Sequence, residues 1–473
     1  MKKKLQRGSI LLAAVLLLAG VFFYREKENF NFIENTIQEA AGDVLEGQTE
    51  HPKQEDSKET DAEKLYEEIL NGCKREFISN KPVDENFLIW FRSAYGEESL
   101  KEIAEEVSHD EQDGNLWYSL TGSTMQVLWL QYCQDTGYQS ELLENVYYKD
   151  CADEDEVVLD FTGDINLAEG WSTTVFMDKQ ANGIYDCLSA DLLLELQRAD
   201  ILMMNNEFTY SDRGYPIPGK AYTFRASPTR VEVLQQLNVD VVSLANNHVY
   251  DYGEDALLDT LETLEGAEIP YVGAGRNLDE AKEIVYFVAN GRKIAIVSAT
   301  QIERSYNYTK EATEDTAGVL KTLKPEQFLE VIREAKRNSD CVIVYPHWGT
   351  EGTNVYGLDQ QELAEAYVEA GADVIVGGHT HCLQGIAYIE DTPVIYSLGN
   401  FWFNGNTLET GVAQVRIRQD GEIRFRFLPC MQSGTKTRLL TDGEEREQVM
   451  DFMRGLSKEV EIDDEGYVTN LAK

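Results

Sequence analysis

From residue 156 to about residue 430, the chain alternates short apolar runs with segments whose apolar residues recur at helical spacing. Short apolar runs bounded by turn residues favour buried strands, and apolar positions three or four residues apart favour amphipathic helices. Regular alternation of the two predicts an α/β domain. The runs that we interpret as strands are VVLDF, ILMM, VDVVSLA, KIAIVSA, CVIVY, ADVIVG and PVIYSL, which begin at residues 157, 201, 239, 293, 341, 372 and 393.

Polar residues follow several of these strands, where α/β folds place their functional groups. They lie in TGDIN with Asp164, NNE with Glu207, ANNHVYDYG with Asn247 and His248, PHWGTE with His347, and GGHTH with His379 and His381. Four of the six histidines of the chain fall at such strand ends. Carboxylates, neutral imidazoles and amide oxygens are ligands of divalent metal ions, so the pattern predicts a metal site. A turn with two incidental histidines is the alternative interpretation of GGHTH.

In order and approximate spacing, the motifs GDI, NNE, ANNHxxDYG, HWGTE, GGHTH and SLGNF resemble those of the CapA family of capsule and poly-γ-glutamate biosynthesis proteins. The domain of that family is similar to the calcineurin-like metallophosphatases. The resemblance covers roughly residues 156–429 and says nothing about residues 62–150. It implies an α/β fold, a four-layer α/β/β/α sandwich with a metal centre at one edge of two packed sheets.

The same resemblance implies a role for each matching residue. The implied metal ligands are Asp164, Glu207, Asn247, His347, His379 and His381. Glu207 would bridge two sites, and His381 would join Asp164 at the second one. The cofactor would be one or two divalent ions, manganese, iron or zinc, which activate a water and clamp developing charge.

Two further residues of the ANNHVYDYG motif would act in catalysis. His248 would be the general acid for the leaving group, and Asp251 would orient it. The sequence also departs from the wider metallophosphatase pattern, because Asn166 stands where an Asp-x-His motif has histidine, and Glu207 replaces the usual bridging aspartate. One of the two metal sites is therefore expected to be weak.

Four more residues are candidates for substrate binding. Lys220 and Arg225, in GKAYTFRASP, would receive an anionic substrate, with ordinary surface charge as the alternative. Glu351 is either a partner or base at the site, or simply a carboxylate at the start of the following helix. Asn400, in SLGNF, would shape the rim of the pocket through its backbone turn.

The N-terminus carries a membrane-directing pattern, with Lys2, Lys3, Lys4 and Arg7 ahead of an uncharged run over residues 8–24. At about 1.5 Å per residue a helix over this run would span roughly 26 Å, enough for a transmembrane segment. The flanking cations favour a cytoplasmic N-terminus, so the body would lie outside the cytoplasm of a single-pass protein of the cell membrane. A cleaved signal peptide is the alternative.

The predicted organisation has five parts. They are a signal anchor over 1–25, an acidic linker over 26–61, a helical domain over 62–152, the CapA or metallophosphatase-like domain over 153–435, and a C-terminal tail over 436–473. Within the main domain, Asp420-Gly421 between two alternating segments predicts a β-hairpin over 412–429. The formal net charge of −42 argues against nucleic acid as a partner.

The function expected from the resemblance is capsule or poly-γ-glutamate biosynthesis by a membrane-anchored protein with a metal-dependent hydrolase centre. An anionic polymer or a phosphoester would be the substrate, and a membrane polymer-synthase complex the partner. Two alternatives are open. One is a non-catalytic assembly or export factor with a vestigial metal site, which Asn166 favours, and the other is a free-standing phosphatase unrelated to capsule.

Overall fold

The computed structural model describes residues 77–78, 81–82, 85–107, isolated positions between 120 and 136, 145–153, 155–302 and 308–472. The predicted anchor and acidic linker lie outside the described residues. Within the part of the chain that is described, no helix combines the length and the apolar character needed to cross a membrane.

The strands up to residue 300 are β1 (Phe77–Ile78), β2 (Lys81–Pro82), β3 (Val146–Lys149), β4 (Glu156–Ile165), β5 (Ile201–Asn206), β6 (Thr209–Tyr210), β7 (Arg225–Ala226), β8 (Val241–Ser243), β9 (Tyr271–Val272), β10 (Ala274–Gly275), β11 (Val285–Ala289) and β12 (Arg292–Thr300). Those that follow are β13 (Gly318–Val319), β14 (Cys341–His347), β15 (Val374–Val376), β16 (Leu383–Ile389), β17 (Thr392–Leu398), β18 (Asn400–Trp402), β19 (Leu408–Arg418), β20 (Ile423–Ser433), β21 (Lys436–Leu439), β22 (Val460–Ile462) and β23 (Val468–Asn470).

The α-helices are α1 (Glu85–Tyr95), α2 (Glu97–Val107), α3 (Ser172–Met177), α4 (Ala190–Arg198), α5 (Glu232–Gln236), α6 (Glu254–Gly266), α7 (Leu278–Ala281), α8 (Glu326–Arg337), α9 (Leu358–Ala370) and α10 (Gly443–Leu456). Two 3₁₀ turns, Gly183–Asp186 and Pro228–Val231, also occur in the described part of the chain.

Two large sheets form the centre of the molecule. Sheet I has the order β21-β20-β19-β4-β5-β8-β9, with β18 also paired to β4, and sheet II has the order β16-β17-β15-β14-β12-β11-β3. In sheet I, β4, β5, β8 and β9 are parallel, and in sheet II, β12, β14, β15 and β17 are parallel. Parallel strands bring their carboxyl ends to one edge of each sheet, where the polar motifs lie.

The two sheets pack face to face, and helices cover both outer faces. Residues such as Phe161 and Met203 of sheet I and Ile343 of sheet II share one buried core between the sheets. A second core lies between sheet I and helices α4 and α6, and a third lies between sheet II and helices α8 and α9. The predicted four-layer α/β/β/α arrangement is therefore present, and so is the predicted hairpin, formed by β19 and β20.

The strand pairing extends the sandwich beyond the predicted boundaries at both ends. Strand β3, within the segment predicted as helical, pairs in parallel with β11 at the edge of sheet II. In the segment predicted as a tail, β21 pairs with β20, and Val449, Met450 and Met453 of α10 enter the core between the sheets. Residues 436–470 thus complete the sandwich, because their few apolar positions close one side of its core.

Candidate metal centre

The polar motifs converge where the parallel strands end. Asp164 lies at the end of β4, and Glu207 directly follows β5 in sheet I. His347 is the last residue of β14 in sheet II. The loop after β8 carries Asn247 and His248, and the loop after β15 carries His379 and His381. The structure brings all of these predicted site residues into one cluster.

The first part of the cluster is centred on His347, whose side chain is fully buried. Its Nε2 atom lies 2.8 Å from Asn247 Oδ1, 3.1 Å from His379 Nδ1 and 3.7 Å from Glu207 Oε1. A single ring hydrogen can serve only one of these neighbours. Two imidazole nitrogens, an amide oxygen and a carboxylate oxygen are instead the donor set that suits a divalent cation. We call these four residues the His347 group.

The second part contains Asp164, Glu207 and His381, each with one candidate ligand atom within 4.8 Å of the others. His381 Nδ1 lies 3.3 Å from Asp164 Oδ2 and 2.8 Å from Asn400 Oδ1. We call Asp164, Glu207 and His381 the His381 group. Glu207 belongs to both groups, which is the position the sequence predicts for a bridging carboxylate.

The protonation of the cluster tests whether its residues fit a cation. Burial, reinforced by the negative charge of Asp164, raises the pKa of Glu207 well above its usual range. Burial lowers the pKa of His347 well below its usual range, so its imidazole is neutral and keeps a lone pair. Asp164 Oδ2 and Glu207 Oε1 are buried without a hydrogen-bond partner among the described residues. The residues therefore fit a divalent metal ion.

His381 behaves differently from His347. Burial alone would lower the pKa of His381, but the Asp164 carboxylate, Glu351 and Asn400 together outweigh burial and raise the pKa overall. About a quarter of the His381 side chain is exposed, whereas that of His347 is fully buried. Within its group, His381 therefore lies on the solvent-facing side, whereas Asp164 and Glu207 are fully buried.

His248 is held by the residue predicted to orient it. Its Nδ1 lies 2.7 Å from Asp251 Oδ2, and its Nε2 lies 3.9 Å from Glu207 Oε1. The backbone N–H of Phe224 also donates to Asp251 Oδ2, at 2.6 Å. Burial lowers the pKa of His248. Asp251 thus fixes one nitrogen of the ring and leaves the other directed at the cluster.

Lys220 occupies a different place from the one expected of an anion-binding residue. Its ammonium lies 2.7 Å from Asp251 Oδ1, and the side chain is only 8% exposed. It also donates to the backbone carbonyl of Asn247. The ammonium of Lys220 therefore compensates the buried carboxylate of Asp251, which holds His248, and does not point to solvent.

Arg225 and Glu351 lie at the periphery. The Arg225 guanidinium donates to the backbone carbonyl of Arg213 at 2.8 Å and stacks 4.3 Å above the Tyr252 ring, so it ties the local loop together. Glu351 is exposed in the turn after β14. Its negative charge is among the factors that raise the pKa of Glu207, so it lies within electrostatic reach of the cluster.

Asn400 reaches the cluster through its side chain as well as through its backbone turn. Strand β18 pairs in parallel with β4, which aligns Asn400 with Asp164. Its amide oxygen contacts His381, and its Nδ2 is buried without a hydrogen-bond partner among the described residues.

Two asparagines for which the sequence predicts no role support the cluster through hydrogen bonds. Asn205 Nδ2 donates to Asp164 Oδ1 at 2.7 Å, and Asn246 Nδ2 donates to Asn205 Oδ1 at 3.1 Å. Asn246 Oδ1 accepts hydrogen bonds from the backbone N–H groups of His248 and Val249, each at 3.0 Å. The only sequence feature that indicates a role for them is their position inside the NNE and ANNH motifs, which also carry the predicted ligands.

The GGHTH loop has a strained backbone. His379 and His381 have φ values of 97° and 58°, in a region that residues with a Cβ atom rarely adopt. Gly378 approaches Asp164 so closely that a Cβ atom there would lie 3.1 Å from Asp164 Oδ1. Such strain persists where surrounding contacts fix it, which is common at functional sites.

Aromatic rings cover one side of the cluster. The ring centroids of Phe224 and His248 are 4.5 Å apart, and those of Phe403 and His381 are 4.8 Å apart. Phe224 and Phe403 are themselves 5.5 Å apart and almost fully buried. They limit access of water to the imidazoles from that side.

Comparisons with known proteins concern the same part of the chain. The sequence profile of a family described as "Bacterial capsule synthesis protein PGA_cap" matches residues 158–405. The chain is 36% identical over 228 residues to "PGA biosynthesis protein CapA" of Bacillus subtilis (strain 168), covering 47% of this chain and 59% of that protein. It is 35% identical over 231 residues to "Capsule biosynthesis protein CapA" of Bacillus anthracis, covering 47% and 55%.

The chain thus spans a little over half the length of these relatives. Among solved structures, a 5'-nucleotidase from Candida albicans SC5314 aligns with 60% of this chain and 53% of its own, at 12% identity and a TM-score of 0.34. Similarity at this level identifies no reaction.

Proposed function

Because the chain belongs to the bacterial capsule synthesis protein PGA_cap family, we propose that it serves the biosynthesis of capsule or poly-γ-glutamate polymer. The names of the two Bacillus relatives support this assignment. The matched segment, residues 158–405, contains every residue of the candidate metal centre. Family membership and the centre therefore concern the same part of the molecule.

The chemistry that we propose is metal-dependent hydrolysis, or transfer, at a phosphoester or an amide. The observation that carries it is the convergence of Asn247 Oδ1, His379 Nδ1 and Glu207 Oε1 on His347 Nε2. Nitrogen and oxygen donors of this kind suit manganese, iron or zinc. Such ions, when bound, would polarise the scissile group and lower the pKa of a bound water.

The residues around the cluster have complementary tasks in this proposal. His248 would give a proton from Nε2 to the leaving group when both of its ring nitrogens carry a hydrogen, and Asp251 would hold the ring by accepting from Nδ1–H. Lys220 holds the Asp251 carboxylate in position through their ion pair. Phe224 and Phe403 shield the imidazoles, and electrostatic interactions are stronger where water is excluded.

An anionic substrate fits the charge of the proposed centre. Asp164 and Glu207 cannot fully neutralise two divalent ions, so the loaded centre would attract an anion. The chain as a whole, with a formal net charge of −42, repels a polyanion. Engagement of poly-γ-glutamate or of a phosphoester would therefore depend on the centre itself.

Localisation and partners complete the proposal. The cationic N-terminus and the apolar run over residues 8–24 support a signal anchor that holds the body outside the cytoplasm. A protein in that position is suited to act beside a membrane polymer-synthase complex.

Gene replacement tests the proposed function. In a strain whose own copy is deleted, genes encoding Asp164→Ala, His248→Ala and His379→Ala should each fail to restore polymer, whereas Glu362→Ala, on the exposed surface of α9, should restore it. Protein levels are compared by immunoblot. Full polymer production by all three site variants would contradict a catalytic role.

A second candidate function is a non-catalytic assembly or export factor. It is favoured by Asn166, whose side-chain oxygen accepts a hydrogen bond from the backbone N–H of Ala168 and so is engaged within its own loop. Under this alternative the three site variants support polymer production, and deletion of residues 1–25 abolishes it.

A panel of phosphoesters and γ-glutamyl amides with added manganese distinguishes a general phosphatase from a polymer-directed enzyme.

A further inference from the structure

The His381 group has fewer donors than the His347 group. Apart from the shared Glu207, the His347 group offers two imidazoles and an amide oxygen, whereas the His381 group offers one carboxylate and one imidazole. In the wider metallophosphatase pattern, position 166 would carry a histidine that adds a ligand. Here it is Asn166, whose Oδ1 accepts a hydrogen bond from the backbone N–H of Ala168 at 2.8 Å. The His381 group thus offers a metal ion three protein ligands, and any fourth protein ligand would come from elsewhere in the chain.

Asn400 is placed to supply that ligand. Its Oδ1 lies 2.8 Å from His381 Nδ1, and the same nitrogen lies 3.3 Å from Asp164 Oδ2. The side chain is 1% exposed, so its position is fixed by packing. Pairing of β18 with β4 aligns Asn400 directly with Asp164, so the two side chains approach the group from neighbouring strands of one sheet.

We propose that Asn400 Oδ1 is a direct ligand of a second metal ion, held together with Asp164, Glu207 and His381. This assignment rests on the metal centre of the proposed function and adds the ligand that position 166 lacks. It makes Asn400 the counterpart of Asn247, whose Oδ1 lies 2.8 Å from His347 Nε2. Each ion then has an amide oxygen and at least one imidazole, and both share Glu207.

The distances agree with shared coordination. An ion that holds ligands at about 2.1 Å separates two ligands at right angles by about 3.0 Å. The separations of 2.8 Å and 3.3 Å around His381 Nδ1 lie on either side of this value. Asp164 Oδ1 already accepts a hydrogen bond from Asn205, so Oδ2 is the oxygen left for the ion.

A different geometry makes a contrasting prediction. If Asn400 only accepted a hydrogen bond from His381 Nδ1–H, His381 would bind the ion through Nε2, and Asn400 would merely orient the ring. The two arrangements differ in which atoms touch the metal, so a structure with a bound ion separates them.

The test measures Mn²⁺ bound to the full-length chain and the position of each ion. The variants are Asn400→Leu, which keeps the approximate size without a donor, Asn400→Asp, which restores an oxygen ligand, and the exposed control Asn406→Leu. We expect two ions per chain in the wild type, in Asn400→Asp and in the control. Asn400→Leu should keep the ion of the His347 group and bind the second at least about tenfold more weakly.

Anomalous scattering from Mn²⁺-loaded wild-type crystals should place Asn400 Oδ1 about 2.1–2.3 Å from the second ion. The inference is overturned if that oxygen contacts only His381, or if the leucine variant binds both ions as the wild type does. Should Asn400→Leu fail to fold, Asn400→Asp and the anomalous map still decide. A wild-type chain that binds no Mn²⁺ would overturn the proposed centre as well, and one that binds a single ion overturns this inference alone.

Discussion

Asp160 and Asp164 lie four residues apart on strand β4, yet their surroundings differ sharply. Both side chains are fully buried, and each has one carboxylate oxygen without a hydrogen-bond partner among the described residues. Asp160 accepts a hydrogen bond from Gln414 Nε2 at 3.0 Å, and that amide nitrogen also donates to Glu195 at 3.0 Å. Asp164 instead faces His381, the shared Glu207 and the end of sheet II.

The negative charge of a buried carboxylate is avoided at Asp160 and can be compensated by a cation at Asp164. Burial raises the pKa of Asp160 to about 7, so it removes its charge by keeping a proton. Asp164 is surrounded by imidazole and amide donors that suit a cation. Burial alone therefore does not turn a carboxylate into a metal ligand. A metal site also requires that neutral nitrogen and oxygen ligands converge on the carboxylate.

The largest expected effect on metal binding comes from replacing Asp164, and not Asp160, by asparagine. Asp164→Asn should weaken binding of a divalent ion at the His381 group by about 100-fold or more, because a carboxylate ligand is lost. Asp160→Asn should bind Mn²⁺ as the wild type does. Isothermal titration measures both, and equal losses in the two variants would remove the distinction between the two aspartates.

A third buried carboxylate, Asp251, is compensated by a lysine, and removing that lysine gives the largest expected effect on the free energy of unfolding. Lys220→Met leaves Asp251 without its ion pair and should lower the free energy of unfolding by about 3–5 kcal/mol. Lys282→Met is the matched control, because it breaks a surface pair with the exposed Asp279 and should cost at most about 1 kcal/mol. Urea denaturation measures both, and Lys220→Arg should recover part of the loss.

If Lys220 instead received substrate from solvent, as the sequence predicts, Lys220→Met would leave stability unchanged and raise KM alone. The denaturation curves and the kinetic constants together therefore decide between the two roles.

The pH dependence of stability gives a second expected effect on the free energy of unfolding. The folded chain keeps the Asp160 proton up to a pKa of about 7, whereas the unfolded chain releases it near pH 3.8, so the group destabilises the fold as pH rises between these values. At about 1.4 kcal/mol per pH unit, the loss is at most about 4.5 kcal/mol and is complete above pH 7.

Asp160→Asn removes this titration while still accepting the hydrogen bond from Gln414. The stability of the variant relative to wild type should therefore increase from pH 4 to pH 7 and then level off, as measured by denaturation at each pH. A constant difference over that range would mean that Asp160 is ionised in the fold.

Much of the fold and the cluster was predictable because both follow from local patterns. Short apolar runs identified β4, β5, β12 and β14 of the two sheets, and the polar residues after such runs identified the ligand candidates. The role of the tail was not predictable in this way. Strand β21 and helix α10 are polar on their exposed sides, and only their packing on the sandwich shows that they belong to it.

The partners of Lys220 and Asn400 were also beyond the sequence. Lys220 meets Asp251 because the loop before β7 folds back over the loop that carries His248. Asn400 contacts His381 because β18 pairs with β4 in sheet I. The paired residues Asn400 and Asp164 are more than 230 positions apart in the sequence. Contacts of this kind depend on tertiary pairing, and no periodicity in the sequence encodes them.

Binding of divalent metal by the full-length wild-type chain decides whether the cluster is a metal centre. The purified chain is stripped with a chelator, loaded separately with Mn²⁺, Fe²⁺ and Zn²⁺, dialysed, and analysed for metal per folded chain. We expect at least one tightly held ion in the wild type, and its loss in His347→Ala with the fold retained by circular dichroism. A correctly folded wild-type chain that holds none of the three metals would contradict this expectation.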